Sequence, residues 1–343
     1  MSNPSESEYR LLQARPDECC LLRQLLNAGE SFVSGSQLAH DMDLSPPAIW
    51  GKIKKLQAFG FEIEAVRNRG YRLVKQPEVI HPALLELAVK AHGMEIPCLY
   101  LPVVDSTNNE AERQIANGRR GPFAVISSSQ TKGRGRLGRE WISASKENLY
   151  LTVTYEPRLP LEQLQHFTLW CGIKLCEALQ GRLPNFPLKI KWPNDLHYEG
   201  QKFAGMLTEA KLDADGLKTL FFGLGLNVNS KPDNLPRTPQ APATSLQTIG
   251  GETLPINTIA ALALKAIQEA FEICIQNTDT EASLAEAWPP LDSLYGRAVT
   301  AELNGKTLAG IAQGIDASGA LILETKDGSQ QMIRTGDVTL TQF

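Results

Sequence analysis

Hydrophobic positions near the start of the chain fall first at helical and then at strand spacing. Between residues 16 and 59 they form three short helical patterns, and two alternating runs then flank the turn Arg67–Gly70. The third helix opens at Ser45-Pro46, where Ser is a favoured N-cap and Pro is tolerated in the first turn. The apolar residues on one face of that helix are Ile49, Ile53 and Leu56. Three helices followed by a hairpin predict a winged helix-turn-helix.

Strand and helix patterns alternate through the middle of the chain. A stretch with two prolines, residues 75–85, predicts a short linker before them. After residue 290 the pattern changes to short alternating runs, separated by turns such as Asn304-Gly305 and Asp327-Gly328. These runs predict a small β-barrel. The resulting division is a winged helix in 1–76, an α/β domain in 77–290 and a barrel in 291–343.

Composition narrows the class of protein. The 343 residues carry a net charge of −4, so a nucleic-acid contact would need a local basic patch. No apolar run approaches the ~20 residues that span a bilayer. The first ten residues lack the basic start and apolar core of a secretion signal. We therefore expect a cytoplasmic protein with no membrane association.

The winged helix carries such a local patch. Residues 45–75 contain seven Lys and Arg against two Glu, an excess of five positive charges. A basic third helix and wing are typical of DNA binding, because each neutralised phosphate adds to affinity. The residues expected to face DNA are Trp50, Lys54, Lys55, Arg67 and Arg69. The alternative is a winged helix used only for protein contacts.

A glycine- and arginine-rich loop, SSSQTKGRGRLGREW at residues 127–141, follows an apolar strand. Glycines at 133, 135 and 138 allow backbone N–H groups to approach a ligand, and such groups bind anions. The interleaved cations are Lys132, Arg134, Arg136 and Arg139. The pattern favours a loop that closes over an anionic group. By itself it also fits a flexible basic surface loop.

Three further polar motifs lie at the ends of predicted strands or on them. Ser106 to Asn109 open a helix, Lys191 to Leu196 read KWPNDL, and Lys202 precedes Phe203-Ala204-Gly205. The last strand predicted before residue 290, FFGLGLNVN at 221–229, contains two glycines that allow close approach of a ligand or another backbone. Taken singly, these motifs also fit an ordinary N-cap, a plain turn and a solvated edge charge.

Five motifs together resemble the biotin–protein ligase family: STNN (106–109), GRGRLGREW (133–141), KWPNDL (191–196), KFAGML (202–207) and GLGLNVN (223–229). The order of the three parts resembles the bifunctional members, which are both ligase and biotin-operon repressor. The resemblance extends from about residue 16 to 340. It implies a multidomain α/β (α+β) fold: a winged helix-turn-helix, a mixed-sheet ligase domain like class II synthetases, and an SH3-like barrel.

The resemblance implies a two-step acyl transfer. Biotin and ATP with Mg²⁺ give biotinyl-5′-AMP, and a lysine of the biotin carboxyl carrier protein of acetyl-CoA carboxylase then takes the biotinyl group. The adenylate also acts as co-repressor for a homodimer on operator DNA. The residue types fit this chemistry, because bringing a carboxylate to a triphosphate requires fixed cations.

Residue roles follow from the matched motifs. The resemblance places Ser106, Thr107, Asn108, Gln130, Arg134, Gly135, Arg136 and Lys202 at biotin. It places Gly133, Arg139, Trp141, Lys191, Asn194, Asp195 and Asn227 at ATP or the adenylate. Arg136, Lys191 and Lys202 are the expected catalytic residues. No side-chain cluster marks a metal site, and Mg²⁺ bound with ATP is expected near Asp195 and Asn227.

The chain departs from the family pattern at three positions. Leu137 replaces an arginine often seen in the loop, Glu140 replaces a lysine, and Thr341 stands where some members have a basic residue. Two alternatives stay open: a lipoate-type cofactor ligase, and a ligand-sensing transcription factor without ligase activity.

Overall fold

The structure is a computed structural model that describes residues 11–143, 146–157, 164–213, 216–235, 237–238, 241–276, 280–303, 306–334 and 336–340. The helices are α1 Pro16–Ala28, α2 Gly35–Asp41, α3 Pro46–Phe59, α4 Pro82–Ala91, α5 Thr107–Ala116, α6 Phe167–Gln180, α7 Leu246–Gly250, α8 Ile256–Gln276 and α9 Thr280–Ala287. The strands are β1 Glu62–Val66, β2 Gly70–Lys75, β3 Cys98–Leu101, β4 Phe123–Ser127, β5 Leu149–Tyr155, β6 Lys189–Lys191, β7 Asp195–Tyr198, β8 Gln201–Asp213, β9 Gly216–Leu226, β10 Arg237–Thr238, β11 Ala241–Pro242, β12 Ala298–Leu303, β13 Lys306–Ile315, β14 Leu321–Glu324, β15 Gln330–Ile333 and β16 Asp337–Leu340.

The N-terminal part is the predicted helix-turn-helix with a wing. Ser45 caps α3 by accepting from the Ala48 backbone N–H, and α3 buries Ile49, Ile53 and Leu56. Strands β1 and β2 pair antiparallel across the turn at Arg67–Arg69. The predicted helices and hairpin are therefore confirmed, each to within one or two residues.

Helix α4 joins the N-terminal part to the central sheet. Its Ala83 and Leu84 belong to the core of the winged helix, whereas Leu85 and Val89 belong to the central core. The predicted linker at 75–85 is thus shorter than expected, because the pattern from Pro82 onward is already helical.

A seven-stranded sheet forms the centre, in the order β3-β4-β5-β9-β8-β7-β6. Strands β3 and β4 are parallel and the other neighbouring pairs are antiparallel, which confirms the mixed sheet. Helices α6 and α8 contribute apolar residues to one large core, while Ala111 of α5 packs in a second cluster with Val125 and Phe221. The start of α5 is therefore placed close to the middle strands.

The C-terminal part is an antiparallel five-stranded sheet in the order β15-β14-β13-β12-β16. It meets the central domain at the β6–β7 hairpin, where the Trp192 indole N–H donates to the Gly319 carbonyl at 3.0 Å. The alternating run at residues 332–340 predicts one strand, but the structure has two here, because Gly336 with φ of 134° lies in the break between them. Closure of this sheet into a barrel stays a prediction.

Candidate functional site

The glycine-arginine loop folds back on itself as a small hairpin. The Gly135 N–H donates to the Arg139 carbonyl at 2.8 Å, and the Trp141 N–H donates to the Gly133 carbonyl at 3.0 Å. A single 3₁₀ turn at 136–138 closes the hairpin, and there both Leu137 and Gly138 have positive φ. Leu137 is 72% exposed at this tip. The loop therefore has a defined backbone that presents Arg134, Arg136 and Arg139 at fixed positions.

Trp141, the residue after this hairpin, lies across the glycines of the middle strands. A Cβ placed on Gly225 would lie 2.4 Å from the indole Cε2, and one on Gly205 would lie 2.7 Å from Cζ3. These two glycines face each other across β8 and β9. The close approach predicted for the glycine-rich strand is thus made by a tryptophan side chain.

Lys202 and Asp195 form an ion pair beside the indole. The Lys202 Nζ lies 2.7 Å from Asp195 Oδ1 and 5.1 Å from the Trp141 ring centroid. Both side chains are largely shielded from solvent. The ammonium is therefore fixed between a carboxylate and an aromatic face instead of extending into water.

Arg136 connects this region to the C-terminal part. Its guanidinium donates to Asn194 Oδ1 at 3.1 Å and to the Gly336 carbonyl at 3.3 Å. Asn194 is in turn fixed, because its Nδ2 donates to the Met206 carbonyl at 2.6 Å. The arginine is thus oriented by groups from two domains.

Uncharged polar groups gather at the start of α5. The Thr107 N–H donates to Gln130 Oε1 at 2.8 Å, and Gln130 Nε2 donates to Ser143 Oγ at 3.1 Å. The Thr152 hydroxyl on β5 lies 2.5 Å from Asn108 Oδ1 and donates to it, because that oxygen can only accept. This network orients the α5 residues in a largely buried setting.

Asp105 anchors the segment that leads into α5. The Arg113 guanidinium lies 2.6 Å from its Oδ1, and Asn109 Nδ2 donates to its Oδ2 at 2.9 Å. Burial opposes ionisation, but the bonds from Arg113, Asn109 and the Ser106 N–H outweigh it and hold the pKa of Asp105 below its usual range. The carboxylate therefore stays ionised and fixes the turn before Ser106.

The loop, the start of α5 and the middle strands meet at one cavity. The predicted residues that line it are Ser106, Thr107, Asn108, Gln130, Arg134, Gly135, Arg136, Arg139, Trp141, Asn194, Asp195 and Lys202. Leu137 and Glu140, the two departures in the loop, line it as well. Twelve of the fifteen residues predicted for biotin or the nucleotide thus meet at one place.

Three predicted residues, Gly133, Lys191 and Asn227, are not among those that line the cavity. The Asn227 amide donates to the Thr244 carbonyl at 3.0 Å and is buried. Gly133 leaves no room for a side chain, because a Cβ would lie 2.4 Å from the Trp141 carbonyl oxygen. Lys191 pairs through its backbone with Asp195 in the β6–β7 hairpin. Thr341 lies outside the described residues.

Sequence reasoning missed several residues that line the cavity. The apolar ones are Met206, Leu207 and Leu224, which lie on the same strands as the predicted glycines. Alternation along β8 predicts Leu207 on the same side as Gly205, whereas Met206 and Leu224 have the opposite orientation and belong to the central core. Gly336 gave no such signal, since it reaches the cavity from a different domain, 200 residues from Arg136.

The predicted DNA-facing residues lie on one module and are exposed. Trp50 is 56% exposed, and Lys54 Nζ lies 5.7 Å from its ring centroid. Arg69 packs over Phe32 at 4.2 Å. The three other cations counted in the patch are paired: Lys52 with Asp17, Arg72 with Glu64 and Lys75 with Glu78. The outward charge is therefore concentrated at Lys54, Lys55, Arg67 and Arg69.

Two features are absent from the described residues. Within them, no group of three or more His, Cys, Asp or Glu side chains is arranged to hold a metal ion. No helix in this part of the chain combines the length and apolar composition needed to cross a bilayer.

Three family models match the chain in the order of its domains. The model described as "HTH domain" matches residues 21–72, "Biotin/lipoate A/B protein ligase family" matches 100–227, and "Biotin protein ligase C terminal domain" matches 294–340. The winged helix, central sheet and C-terminal sheet each correspond to one of them.

Similar proteins cover nearly the whole chain. The "Bifunctional ligase/repressor BirA" of Escherichia coli (strain K12) is 30% identical over 316 residues, which are 92% of this chain and 95% of that protein. The protein of the same name from Bacillus subtilis (strain 168) is 29% identical over 320 residues, which are 93% and 97% of the two chains. Among solved structures, "Biotin protein ligase from Aquifex aeolicus in complex with biotin and ATP" is 28% identical, with a TM-score of 0.58, and covers 72% of this chain and 99% of its own.

Proposed function

The chain belongs to the biotin protein ligase family, and on that premise we propose that it attaches biotin to a carrier lysine and represses transcription in response to biotin. The observation that carries the proposal is the single cavity shared by an uncharged polar network at α5 and the cations Arg136 and Lys202. A ligand with a neutral head and an anionic end fits such a lining.

In the first step the biotin carboxylate attacks the α-phosphorus of ATP, forms a mixed anhydride and releases pyrophosphate. Arg136 and Lys202 offset the repulsion between the two anions, and their fixed partners reduce the reorganisation needed during reaction. Ser106, Thr107, Asn108 and Gln130 bind the ureido head through hydrogen bonds. Leu207, on the same side of the sheet as Gly205, supplies apolar surface for the rest of the ligand.

In the second step a neutral lysine amine of the carrier protein attacks the acyl carbon, and AMP leaves. Trp141 closes the adenylate side of the cavity, with Arg139 and Asn194 beside it. Exclusion of water protects the anhydride from hydrolysis until the amine arrives. The expected carrier is the biotin carboxyl carrier protein of acetyl-CoA carboxylase.

Mg²⁺ enters with ATP as part of the substrate. Such ions keep several waters and use one or two carboxylates plus the phosphates, so a dedicated protein cage is not needed. Asp195 lines the cavity and suits this role, whereas the buried Asn227 amide is already bonded to Thr244. Mg²⁺ supplies charge neutralisation at the phosphates when bound.

The repressor activity rests on the exposed cations of α3 and the wing. Winged modules of this kind commonly bind two-fold DNA sites as dimers, and we include a homodimer and a cytoplasmic location in the proposal. Formation of biotinyl-5′-AMP strengthens DNA binding, and its consumption by unloaded carrier weakens it.

A transfer assay tests the ligase activity. The protein is incubated with ATP, Mg²⁺, a carrier domain and radiolabelled biotin or lipoate, and a carrier whose acceptor lysine is replaced by arginine serves as control. We expect ATP-dependent labelling with biotin and none with lipoate or the control carrier. Labelling by lipoate would instead show a lipoate-type ligase, and no labelling would leave a ligand sensor.

A further inference from the structure

Glu209 lies just outside the cavity, at a position that none of the motifs contains. It is on β8, two residues beyond Leu207 and four beyond Gly205, so it points to the same side of the sheet as these two cavity residues. Its side chain is about one-third exposed. Its carboxylate reaches two residues that do line the cavity.

One oxygen of Glu209 joins two separate parts of the site. Asn108 Nδ2 donates to Glu209 Oε2 at 2.6 Å, and Arg134 Nη2 donates to the same oxygen at 2.7 Å. Asn108 is on α5, whereas Arg134 is on the glycine-arginine loop. The carboxylate is therefore the point where the uncharged network and the basic loop meet.

The bond to Glu209 also fixes which way the Asn108 amide faces. Asn108 Nδ2 is on the Glu209 side, and Asn108 Oδ1 accepts from the Thr152 hydroxyl, which could serve either amide atom. A carboxylate only accepts, which excludes the flipped amide. The amide is therefore held from both sides. It also lies close to Gly223, where an added Cβ would be 2.5 Å from Asn108 Oδ1.

We infer that Glu209 is a positioning residue that couples the biotin-head network to the glycine-arginine loop. The inference deepens the proposed function and rests on it. Glu209 does not touch the reacting atoms; it acts through Asn108 on biotin affinity and through Arg134 on retention of the adenylate. Bonds to an ionised group are among the stronger hydrogen bonds, so removal of this acceptor has a measurable effect.

Three variants separate the two effects. Glu209→Ala removes both contacts. Glu209→Gln keeps an oxygen that can accept from Asn108 but loses the charge that pairs with Arg134. Glu112→Gln is the matched control, because Glu112 pairs with Arg134 at 3.3 Å and Lys211 at 3.1 Å without contacting Asn108 in any bond found among the described residues.

Pyrophosphate release is measured while biotin and ATP are varied separately, and decay of preformed adenylate is followed on each variant. For Glu209→Ala we expect the KM for biotin to rise by ~10- to 100-fold and adenylate decay to quicken, with the KM for ATP changed by less than ~3-fold. Glu209→Gln should restore most of the biotin KM but keep the faster decay. Glu112→Gln should resemble the wild-type protein within ~3-fold, because it leaves the shorter Glu209 contact with Arg134 and the Asn108 bond in place.

A double variant checks the route of the effect. If Glu209 acts on biotin through Asn108, adding Glu209→Ala to Asn108→Ala should raise the biotin KM no further than Asn108→Ala does alone. If the double variant instead shows the combined increase in biotin KM of the two single variants, Glu209 does not act through Asn108. Thermal unfolding of each variant shows whether it folds, and the isosteric Glu209→Gln keeps the test valid if Glu209→Ala does not fold.

An equal rise in both KM values, or unchanged biotin KM and adenylate decay in Glu209→Ala, would overturn the inference. Failure of the wild-type protein to make adenylate would instead overturn the proposed function. The two failures are therefore distinguishable in the same assay.

Discussion

We expect retention of the bound adenylate to depend most on Arg136. Its guanidinium is held by Asn194 Oδ1 and the Gly336 carbonyl, so it is pre-oriented toward the cavity. Hydrogen bonds to charged groups contribute ~1.5–3 kcal/mol, so Arg136→Ala should shorten the lifetime of bound adenylate by ~10- to 100-fold. Decay of preformed adenylate measures this directly. Arg120→Ala removes an exposed arginine paired with Glu156 and serves as control; equal lifetimes in the two variants would remove Arg136 from the mechanism.

Substitution of the two glycines of β9 tests which ligand binds beside each of them. An alanine Cβ at Gly225 would meet the Trp141 ring at 2.4 Å, whereas one at Gly223 would meet Asn108 Oδ1 at 2.5 Å. Because neither distance is tolerated, the side chain above each site has to move. We expect Gly225→Ala to raise the KM for ATP and Gly223→Ala to raise the KM for biotin, each by ~10-fold or more. Each variant serves as the control for the other. The same pattern of KM changes in both would contradict the assignment of Gly225 to the ATP side and Gly223 to the biotin side.

At the scale of elements, the glycine-arginine loop is the part expected to change with ligand. Its hairpin is short, and its tip has positive φ at Leu137, a conformation that costs a branched residue ~1–2 kcal/mol. Biotin and ATP should stabilise this loop conformation by adding anionic groups beside its arginines. Limited trypsin digestion should therefore cut after Arg134, Arg136 or Arg139 several-fold more slowly with both ligands than without. Cleavage elsewhere, for example in the wing at Arg67, is the internal control, and equal protection at both places would argue against loop closure.

The elements with strong local patterns could be predicted from the sequence. Helix α3 was found from its Ser-Pro start and apolar face, and twelve site residues from motifs that folding brings together. Strand β7 was missed, because residues 192–194 form a turn and Asp195 already pairs back onto Lys191. Gly336 and Glu209 were missed because their roles depend on contacts across domains or across the sheet, which local spacing does not encode.

At the scale of the whole molecule, His81 lies where the winged helix meets the central domain. Its ring packs edge-on against Phe59 and Phe61, and its backbone N–H donates to Asn257 Oδ1 of α8 at 3.0 Å. Burial lowers the pKa of His81 to about 4, with no partner found for Nδ1 among the described residues. The junction is therefore built for the neutral imidazole.

The sign of the pH effect follows from this lowered pKa. His81 takes up a proton near the ordinary pKa of 6.5 in the unfolded chain, but only near a pKa of about 4 in the folded protein. Its contribution to the free energy of unfolding is therefore fully present above pH 6.5 and is lost as the pH falls toward 4. His81→Phe should reduce the slope of unfolding free energy between pH 6.5 and 4.5 by up to ~1.4 kcal/mol per pH unit. Urea unfolding across this range measures the slope. His40→Gln removes an exposed imidazole as control, and an unchanged slope in His81→Phe would show that the buried histidine does not set it.

Because ligase and DNA-binding domains are joined in one chain, we expect adenylate formation to control DNA binding. The direct test is a mobility-shift titration of the promoter DNA of the organism's biotin-synthesis genes, at ~0.1 M salt, where phosphate contacts still contribute. It is run without ligand, with biotin and ATP, and with both plus unloaded carrier domain. We predict binding at least ~10-fold tighter with biotin and ATP, reversed by the carrier but not by a carrier that lacks its acceptor lysine. Equal binding under all conditions would contradict the account.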